Sequence, residues 1–376
     1  MRVLQISKFY PPVMGGIESV TWELTEGLNR AGIPTDVLCS AQRARSSVES
    51  MGSGCEVLRS ASLGMWMSTS MAPAMLWQLR RRVARYDLFH VHMPDPMAAL
   101  ALWAVRPRGK VVVHWHSDVI RQRRALRAYE PLQRWLLQRA DAIVATSLPY
   151  AEASTTLQPW RAKIAVIPIG ISDNHTQVCS VKAGAIRQRF RRRRIVFSLG
   201  RMTYYKGFEV LIEAAATLPD DCVVLIGGHG ELLDHYRTMV AQRGLAGKVH
   251  LLGHINDDDL ASHFEACDVF CMPSTLRAEA YGVAIVEAMV MGRPIVATDI
   301  PGSGVPWVNE HGRTGFNVPV GEAAALTQAL CRLLGDEALR TQFGAASRQR
   351  YMDEFHAGLM TQRTIELYRR LAEPAA

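Results

Sequence analysis

The sequence lacks three features that would assign it to a particular class of protein. Its seven cysteines form no C-x-x-C pair, which favours reduced thiols in the core over zinc ligands. No apolar run reaches the roughly 18 residues of a membrane-spanning helix, since Ser68, Thr69, Ser70 and Pro73 interrupt the best candidate, residues 62–79. The N-terminus runs straight into a strand pattern, without the cleavage site of a signal peptide. These absences predict a cytoplasmic protein.

The composition is that of an ordinary globular protein. Of the 376 residues, 48% are hydrophobic and 21% are charged, which excludes an intrinsically disordered chain. The length exceeds that of one typical hydrophobic core, so two domains are expected.

Positive charge is in excess and is concentrated in arginines. The net charge is +8. One interpretation is a solvated basic surface, and the other is attraction to anionic lipid at the inner leaflet of the plasma membrane. Nucleic acid is not an expected partner, because no recognition motif accompanies the charge. The three arginine groups are Arg80, Arg81, Arg82 and Arg85; Arg121, Arg123, Arg124, Arg127, Arg134 and Arg139; and Arg187, Arg189 and Arg191 to Arg194.

Apolar strand patterns alternate with helical patterns along the whole chain, which predicts an α/β fold with parallel sheets. They form two series, and the apolar pattern lapses between them over residues 171–188. The predicted domains are therefore residues 1–175 and 176–355, followed by an amphipathic helix within 356–376. The predicted strands are Val3 to Ile6, Thr35 to Leu38, Leu88 to Val91, Lys110 to Val113, Ala142 to Ala145 and Ile164 to Val166, then Ile195 to Leu199, Val223 to Ile226, Val249 to Leu252, Val269 to Met272 and Ile295 to Ala297.

A glycine pair, Gly15 and Gly16, follows the first predicted strand and precedes a helical pattern that ends before Gly32. Glycines at such a turn allow a phosphate to approach backbone N–H groups at the helix N-terminus. A plain tight turn explains the pair equally well.

Two cations, Arg201 and Lys206, lie five positions apart in the loop after the first strand of the second series. Together they can neutralise a diphosphate, Arg201 through forked hydrogen bonds and Lys206 as a point charge. The alternative is a pair of surface cations.

Two histidines, His114 and His116, stand at the end of the strand that begins at Lys110. Ligands of open α/β sheets bind beyond the carboxyl ends of the strands, so a histidine there is expected to contact substrate. A structural histidine with its hydrogen bonds satisfied is the alternative. Their spacing places both on one face of a continuing strand. A metal site is not predicted, because the sequence offers no third ligand at a sensible spacing.

A further strand leads into a glycine-rich turn at Gly227-Gly228-His229-Gly230. The turn admits a base or a phosphate, and a simple turn accounts for it nearly as well. The acidic run Asp257-Asp258-Asp259 is interpreted as the first turn of a helix rather than as a metal site.

Two glutamates, Glu279 and Glu287, stand eight positions apart across a loop-to-helix junction. Gly282 relaxes the backbone at the junction, and Gly292-Arg293-Pro294 ends the helix. At about 1.5 Å of rise per helical residue, the two carboxylates lie on the order of 10 Å apart. That distance suits a bound nucleotide sugar, with one acid near the sugar and the other near the ribose. A helix N-terminal acid and a solvated acid are an equal alternative.

Three of these motifs together resemble the retaining glycosyltransferase family 4. They are P-P-x-x-G-G-x-E over Pro11 to Glu18, G-R-x-x-x-x-K-G over Gly200 to Gly207, and E-x7-E over Glu279 to Glu287. Pro168-Ile169-Gly170 resembles the family's turn ahead of the interdomain linker, so the likeness covers essentially the whole chain. It implies the GT-B fold: two facing Rossmann-like domains with a donor cleft between them, and a final helix that crosses back onto the first domain.

The resemblance also implies roles for the charged residues. Arg201 and Lys206 are expected to bind the diphosphate of the donor. Glu279 is expected to face the transferred sugar, and Glu287 to bind the ribose hydroxyls. His116, more than His114, is expected to be the active-site histidine.

Backbone groups complete the expected donor site. Gly15 and Gly16 are expected to approach the phosphates or the sugar, and the backbone around Gly282, Val283 and Ala284 lies near the distal phosphate and sugar. Gly228 is expected near the donor as well. In that turn the family favours a residue smaller than His229, so the base pocket is the least defined part.

The implied reaction is a hexosyl transfer without metal or other cofactor, in which cations and helix N-termini stabilise the leaving diphosphate. The preferred donor is a GDP-sugar carrying mannose or a 6-deoxyhexose. The expected acceptor is a lipid-linked saccharide of surface polysaccharide, O-antigen or glycolipid synthesis, reached at the inner face of the plasma membrane. The alternatives are a UDP-sugar-dependent transferase with a soluble acceptor and a non-catalytic nucleotide-sugar-binding protein. The basic groups favour the lipid-linked acceptor. A set of apolar residues favours it as well, although a buried core helix would explain that set equally well. The set is Met65, Trp66, Met67, Met71, Met75, Leu76 and Trp77.

Overall fold

The computed structural model describes residues 1–13, 15–52, 54–67, 69–119, 123–173, 179–191 and 193–373, with the backbone alone for 123–127. Its contacts divide the chain into two compact units, residues 1–170 with 357–376 and residues 171–356. The predicted boundary at 175 falls among residues outside the described ranges, as do Arg121 and Arg192 of the predicted arginine groups.

The first unit is built on an eight-stranded sheet with the order β10-β9-β8-β7-β1-β2-β4-β3. All neighbouring strands are parallel except the edge pair β3 and β4. The central strands are buried along their full length, because helices cover both faces of a parallel sheet. The strands of this unit are β1 Val3–Ile6, β2 Thr35–Ser40, β3 Ser47–Ser50, β4 Glu56–Ser60, the separate hairpin β5 Met65–Trp66 and β6 Thr69–Ser70, β7 Leu88–Met93, β8 Lys110–Trp115, β9 Ala142–Ala145 and β10 Ile164–Val166.

Five helices connect these strands, and two of them begin at clear capping residues. The carboxylate of Asp95 accepts hydrogen bonds from the N–H groups of Met97 and Ala98, and Pro96 occupies the first helical position. Ser147 caps the last of the five in the same way. The helices are α1 Gly16–Arg30, α2 Ala74–Arg82, α3 Pro96–Val105, α4 Arg123–Arg139 and α5 Leu148–Ala153.

The second unit contains a six-stranded, fully parallel sheet with the order β13-β12-β11-β14-β15-β16. Its strands are β11 Arg194–Leu199, β12 Cys222–Gly227, β13 Val249–Gly253, β14 Val269–Met272, β15 Ile295–Thr298 and β16 Gly315–Val318. Its helices are α6 Ser180–Arg189, α7 Phe208–Ala215, α8 Leu233–Gln242, α9 Asp257–Ala266, α10 Val283–Val290, α11 Val305–Val308, α12 Ala323–Gly335 and α13 Glu337–Arg350.

The last helix, α14 Ala357–Ala372, belongs to the first unit. It packs against α1 where Gly27 leaves room: a Cβ atom on that glycine would lie 2.1 Å from the hydroxyl of Thr361. The N–H of Gly170 also contacts the sulfur of Met360 at 3.4 Å. The end of the chain therefore forms part of the unit that its beginning builds.

Every predicted strand occurs and ends within two residues of its predicted bounds, but five strands were not predicted. Edge strand β3 is mostly polar and exposed, and β16 begins with glycine, so neither carries a continuous apolar run. The acidic run Asp257-Asp258-Asp259 forms the first turn of α9, as predicted. All seven cysteines are free thiols, and Cys267 and Cys271 are fully buried in the core, as predicted.

The apolar stretch over residues 62–79 is not one core helix. It forms the hairpin of β5 and β6 and then α2, and it divides between core and surface. Met75 is fully buried, whereas Met65, Trp66, Met67 and Trp77 are exposed. None of the helices in the described ranges combines the length and the apolar composition needed to cross a bilayer.

Candidate active site

Apart from His116, which follows β8, and Gly228, which follows β12, the predicted site residues follow strands at which the order of each sheet reverses. Ligands of open α/β sheets bind beyond the carboxyl ends of the strands at such a switch point. In the first unit the switch lies between β1 and β7, and in the second unit it lies between β11 and β14. The glycine pair follows β1, whereas the loop with both predicted cations follows β11 and Glu279 follows β14.

A buried ion pair lies at the switch point of the second unit. The Nζ of Lys206 is 2.6 Å from Oε2 of Glu279, and the two side chains are only 12% and 11% exposed. The hydroxyl of Ser274 donates to the same carboxylate oxygen at 3.0 Å. Burial lowers the pKa of Lys206, but the negative charge of Glu279 outweighs it, and the net effect is a pKa above the ordinary lysine value. Lys206 is therefore a fixed cation that is neutralised by a carboxylate in this structure.

Arg201, the second predicted cation, has a different environment. It is exposed, and its guanidinium has no hydrogen-bond or ion-pair partner in the described ranges. Its loop is anchored to the turn after β12 by hydrogen bonds from Gly200 N–H to the carbonyl of Gly227 at 3.1 Å and from Met202 N–H to that of His229 at 3.0 Å. The loop thus presents a free cation next to a paired one.

Gly228 determines how closely these two loops approach. Its φ is +134°, and a Cβ atom there would lie 1.9 Å from the carbonyl oxygen of Gly200. Only glycine fits this position, so Gly228 has a packing role that requires no ligand. Its predicted contact with the donor stays a prediction.

Helix α10 begins immediately after the loop that carries Glu279. Gly282 is its N-cap residue with a φ of +88°, and Val283 and Ala284 form the first turn half-buried. The unpaired N–H groups of a first helical turn favour negative charge. Glu287 follows Val283 by four residues and therefore lies on the same face of the helix. This geometry suits the predicted roles of the junction, which no observation tests directly.

The glycine pair in the first unit is not required by a tight turn. Gly15 is extended, and Gly16 begins α1, so neither has a positive φ. A Cβ atom on Gly16 would meet no atom within 4 Å, so Gly16 leaves open space beside the start of the helix, whereas a Cβ atom on Gly15 would lie 2.6 Å from Oε2 of Glu18.

Arg59 holds the beginning of the same loop. Its guanidinium donates to the carbonyl of Tyr10 at 3.3 Å and to the carbonyl of Pro11, and its Nε donates to the carboxylate of Glu49 at 2.9 Å. A planar fork of donors is well suited to join three such groups.

Four histidines form a buried stack on β7 and β8, beside the switch point of the first unit. His90 and His92 lie on β7, and the parallel register places His92 beside His114 of β8. His116 follows β8, and its ring lies 4.2 Å from that of His114 at an interplanar angle of 12°. His116 is 7% exposed, and the other three histidines are buried more completely.

Hydrogen bonds connect part of this stack into a chain. The Nε2 of His116 lies 2.9 Å from Nδ1 of His92, whose own Nε2 lies 2.8 Å from Oε1 of Gln5 on β1. On the other side, Nδ1 of His90 lies 2.5 Å from the hydroxyl of Tyr368 on α14.

His114 is in the stack but outside the hydrogen-bond chain. Neither of its ring nitrogens has a partner among the described residues. Burial lowers its pKa to about 3. Burial also lowers the pKa values of His90, His92 and His116, and neighbouring histidines lower them further. All four rings are therefore neutral at pH 7.

The stack corrects one prediction from the sequence. No third ligand was expected near His114 and His116, but His90, His92 and His114 offer ring nitrogens within 4.8 Å of one another. Tetrahedral zinc, with bonds of about 2.0–2.1 Å, needs nitrogens about 3.4 Å apart whose lone pairs converge. Stacked rings direct their lone pairs side by side, and both nitrogens of His92 already form hydrogen bonds. The group suits hydrogen bonding, and we derive no metal chemistry from it.

Two family models match successive parts of the chain. Residues 15–170 match the glycosyl transferase 4-like domain, and residues 185–350 match the glycosyl transferases group 1. The O-antigen chain mannosyltransferase C of Escherichia coli is 32% identical over 376 residues, which cover 99% of each chain. The chain belongs to glycosyltransferase family 4.

This glycosyltransferase is also similar to the D-rhamnosyltransferase WbpZ of Pseudomonas aeruginosa. The two are 33% identical over 360 residues, which cover 95% of this chain and 93% of WbpZ. A solved structure of Anabaena Alr3699/HepE in complex with UDP-glucose shares the fold at a TM-score of 0.79 and 20% identity, and the match covers 98% of this chain and all of that one. The predicted GT-B architecture, with parallel α/β sheets in two domains, is confirmed.

Several residues around the site were not found from the sequence of this glycosyltransferase. Arg59 and Gln5 act through contacts with residues that are distant in the chain, whereas Ser274 contacts Glu279 five positions later in the same loop. A signal was present for the stack: His90 and His92 alternate on the predicted strand that precedes the one with His114 and His116. Adjacent parallel strands place such alternating pairs on one face.

Proposed function

We propose that this glycosyltransferase moves mannose or a 6-deoxyhexose from a GDP-sugar to a lipid-linked saccharide, with retention of anomeric configuration and without a metal. The sugar class is supported by the names of two relatives, a mannosyltransferase of the O-antigen chain and a D-rhamnosyltransferase. The observation that carries the proposal is the buried pair of Lys206 and Glu279 beside the free cation Arg201. It combines a site for diphosphate charge with an acid that can accept hydrogen bonds from sugar hydroxyls.

Departure of a nucleoside diphosphate from the anomeric carbon requires stabilisation of growing negative charge. Arg201, Lys206 and the N-terminus of α10 can supply it with groups that are already oriented. Lys206 is neutralised by Glu279 in this structure, so a bound diphosphate has to share or replace that partner. Two cations and a helix terminus perform the task that a divalent metal performs in other sites, which supports metal independence.

Retention is proposed to proceed by attack from the face that the diphosphate leaves. The oxygen Oε2 of Glu279 already binds the ammonium of Lys206 and the hydroxyl of Ser274. A carboxylate held in this way is a poor nucleophile, so Glu279 orients the sugar and forms no covalent adduct. The proton of the acceptor hydroxyl passes to the leaving phosphate, which balances the transfer.

A lipid-linked acceptor and a position at the inner face of the plasma membrane are supported by exposed apolar and basic side chains of the first unit. The hairpin and the segment just before it expose Leu63, Met65, Trp66 and Met67, with Trp66 61% exposed. On α2, the guanidinium of Arg81 lies 3.6 Å above the ring of the exposed Trp77. Tryptophan beside arginine suits the interface of an anionic bilayer.

A second candidate function is transfer from a UDP-sugar to a soluble acceptor. It is favoured by the likeness to the Anabaena protein that was solved with UDP-glucose. The third candidate, a nucleotide-sugar-binding protein without turnover, would be expected to lack Glu279, Arg201 or Lys206, and all three residues are present.

The decisive experiment measures transfer by the purified protein from a panel of GDP-, UDP- and ADP-sugars to a lipid-diphosphate saccharide, with EDTA present. We expect one GDP-sugar to react, NMR of the product to show the anomeric configuration of the donor, and the Glu279→Gln variant to be inactive. The matched control is Glu209→Gln, because Glu209 lies in the same unit but accepts a hydrogen bond from Tyr236. Transfer only from a UDP-sugar, inversion of configuration, or loss of activity in EDTA would each contradict the corresponding part of the proposal.

A further inference from the structure

The hydrogen-bond chain Gln5–His92–His116 crosses three neighbouring strands of the first unit. Gln5 lies on β1, His92 lies on β7, and His116 immediately follows β8. The chain ends at His116, whose Nδ1 has no hydrogen-bond partner among the described residues. His116 is also the most exposed of the four stacked rings. The chain therefore connects a fully buried amide to the one ring that reaches the carboxyl edge of the sheet.

The order of donors and acceptors along this chain determines where each ring carries its proton. Oε1 of Gln5 can only accept, so Nε2 of His92 donates to it. A neutral imidazole has one N–H, so Nδ1 of His92 is an acceptor and receives the N–H of His116 Nε2. His116 is neutral as well, and its Nδ1 is left with a lone pair.

We propose that Gln5 and His92 are positioning residues that fix this tautomer, so that His116 presents Nδ1 as an uncharged acceptor to a substrate hydroxyl. The inference rests on the proposed function, because it assigns the substrate contact to His116. A neutral acceptor suits a sugar hydroxyl, which donates a hydrogen bond and carries no charge. A protonated ring would instead add a positive charge at this edge of the sheet.

Two further observations support the tautomer. Burial and the neighbouring histidines hold the pKa values of His92 and His116 well below the ordinary value, so both rings are neutral. The amide atom of Gln5 that lies 2.8 Å from Nε2 of His92 is the oxygen Oε1, and the amide NH2 has no hydrogen-bond partner among the described residues. The opposite orientation of the amide would reverse each bond and place the proton of His116 on Nδ1.

The test reads the tautomers directly by long-range ¹H–¹⁵N NMR of the full chain with labelled histidines. In the wild type we expect His92 and His116 to be protonated at Nε2 alone. Gln5→Leu removes the acceptor at the buried end, so the His116 proton is expected to redistribute to Nδ1. Gln5→Glu retains an acceptor oxygen and is expected to restore the wild-type tautomer.

His114→Leu is the matched control, because it removes another polar group from the same stack without cutting the chain. We expect it to leave the tautomer of His116 unchanged, which separates a loss of hydrogen bonding from a general loosening of the stack. A wild-type His116 protonated at Nδ1 would overturn the inference. So would a Gln5→Leu variant that keeps the wild-type tautomer.

Transfer assays then separate the positioning role from the proposed function. With the preferred donor, Gln5→Leu is expected to lower kcat/KM by about tenfold, the effect of one lost hydrogen bond, and Gln5→Glu to recover it. Full kcat/KM in a Gln5→Leu variant with a shifted tautomer would overturn the positioning role. Wild-type protein with the expected tautomers but no transfer from any donor would instead contradict the proposed function.

Discussion

The two switch points of this glycosyltransferase have the same strand–loop–helix topology but opposite electrostatic character. In the first unit, four histidines are held neutral by burial and by one another. In the second unit, Lys206 is comparably shielded from solvent but keeps its charge by pairing with Glu279. Burial alone therefore does not decide whether a group is charged, and an opposite charge at 2.6 Å changes the outcome.

This difference divides the proposed chemistry between the units. Neutral rings offer hydrogen bonds without attracting ions, which suits the hydroxyls of a saccharide. Fixed charges suit a diphosphate, whose negative charge grows as it leaves. The same fold can therefore carry an acceptor-type site and a donor-type site, and only the side chains beyond the strand ends need to differ.

The largest expected difference between the two sites is in their response to acid. The pKa values of the four stacked histidines are lower in the folded than in the unfolded protein. Their contribution to the free energy of unfolding is therefore fully present above the unfolded-state pKa of about 6.5 and is lost as the pH falls below that value. Each such histidine contributes a slope of about 1.4 kcal/mol per pH unit. The pKa of Lys206 is raised by the charge of Glu279, so its contribution is complete at neutral pH and, on the alkaline side, is lost only in strongly alkaline solution.

Hydrogen exchange measured from pH 7.5 to 4.5 should therefore show the first unit opening before the second. The control is His114→Leu, which is expected to reduce the pH slope of the unfolding free energy by about 1.4 kcal/mol per unit, equivalent to one proton. Equal acid sensitivity of both units, or an unchanged pH slope of the unfolding free energy in the variant, would contradict the electrostatic difference between the two units.

The next largest effect is expected from Glu279→Gln in the second unit. The variant should lose about a hundredfold or more in transfer, because it removes the charge proposed to orient the sugar. It should nevertheless bind the free nucleoside diphosphate several-fold more tightly, since Lys206 no longer has a carboxylate partner. Calorimetric titration with GDP and UDP measures the affinity separately from transfer.

Two variants serve as controls for this opposite effect on affinity and rate. Lys206→Met is expected to weaken both, because it removes the cation and leaves a buried carboxylate unpaired. Glu209→Gln should change neither. If Glu279→Gln bound the nucleoside diphosphate more weakly than the wild type, Lys206 would not be the shared partner of the carboxylate and the donor.

The sequence predicted the charged site more completely than the neutral one, for a physical reason. Arg201, Lys206 and Glu279 lie in loops directly after strands, where their charge is unusual enough to be noticed one residue at a time. The histidine stack depends on the register between β7 and β8, and Gln5 enters only because β1 pairs with β7. The alternation of His90 and His92 is visible in the sequence, but strand order and register are properties of the folded sheet, and they decide which distant residues these histidines contact.

A moderate effect is expected from the clamp that Arg59 forms on the loop before Gly15. Arg59→Lys keeps the charge but loses the planar fork that joins two carbonyl groups and Glu49. We expect kcat/KM to fall by about tenfold with little change in the unfolding temperature. Arg85→Lys is the matched control, because its pair with Glu56 is half-exposed. Equal effects of both substitutions would show that the glycine loop needs no clamp.

The smallest effect is expected at the hairpin, outside both switch points. Trp66→Ser removes an exposed ring whose partial burial in a bilayer interface is worth about 1 kcal/mol, or roughly a fivefold change in vesicle affinity. Co-sedimentation with anionic vesicles should show this loss, whereas transfer to a water-soluble acceptor analogue should be unchanged. Trp103→Ser is the control, since Trp103 is an exposed tryptophan of the same unit that lies on α3 and not on the hairpin. If both variants lost vesicle binding equally, or if binding did not depend on anionic lipid and salt, the hairpin would not direct the first unit to the membrane. Either result would favour the alternative of a soluble acceptor.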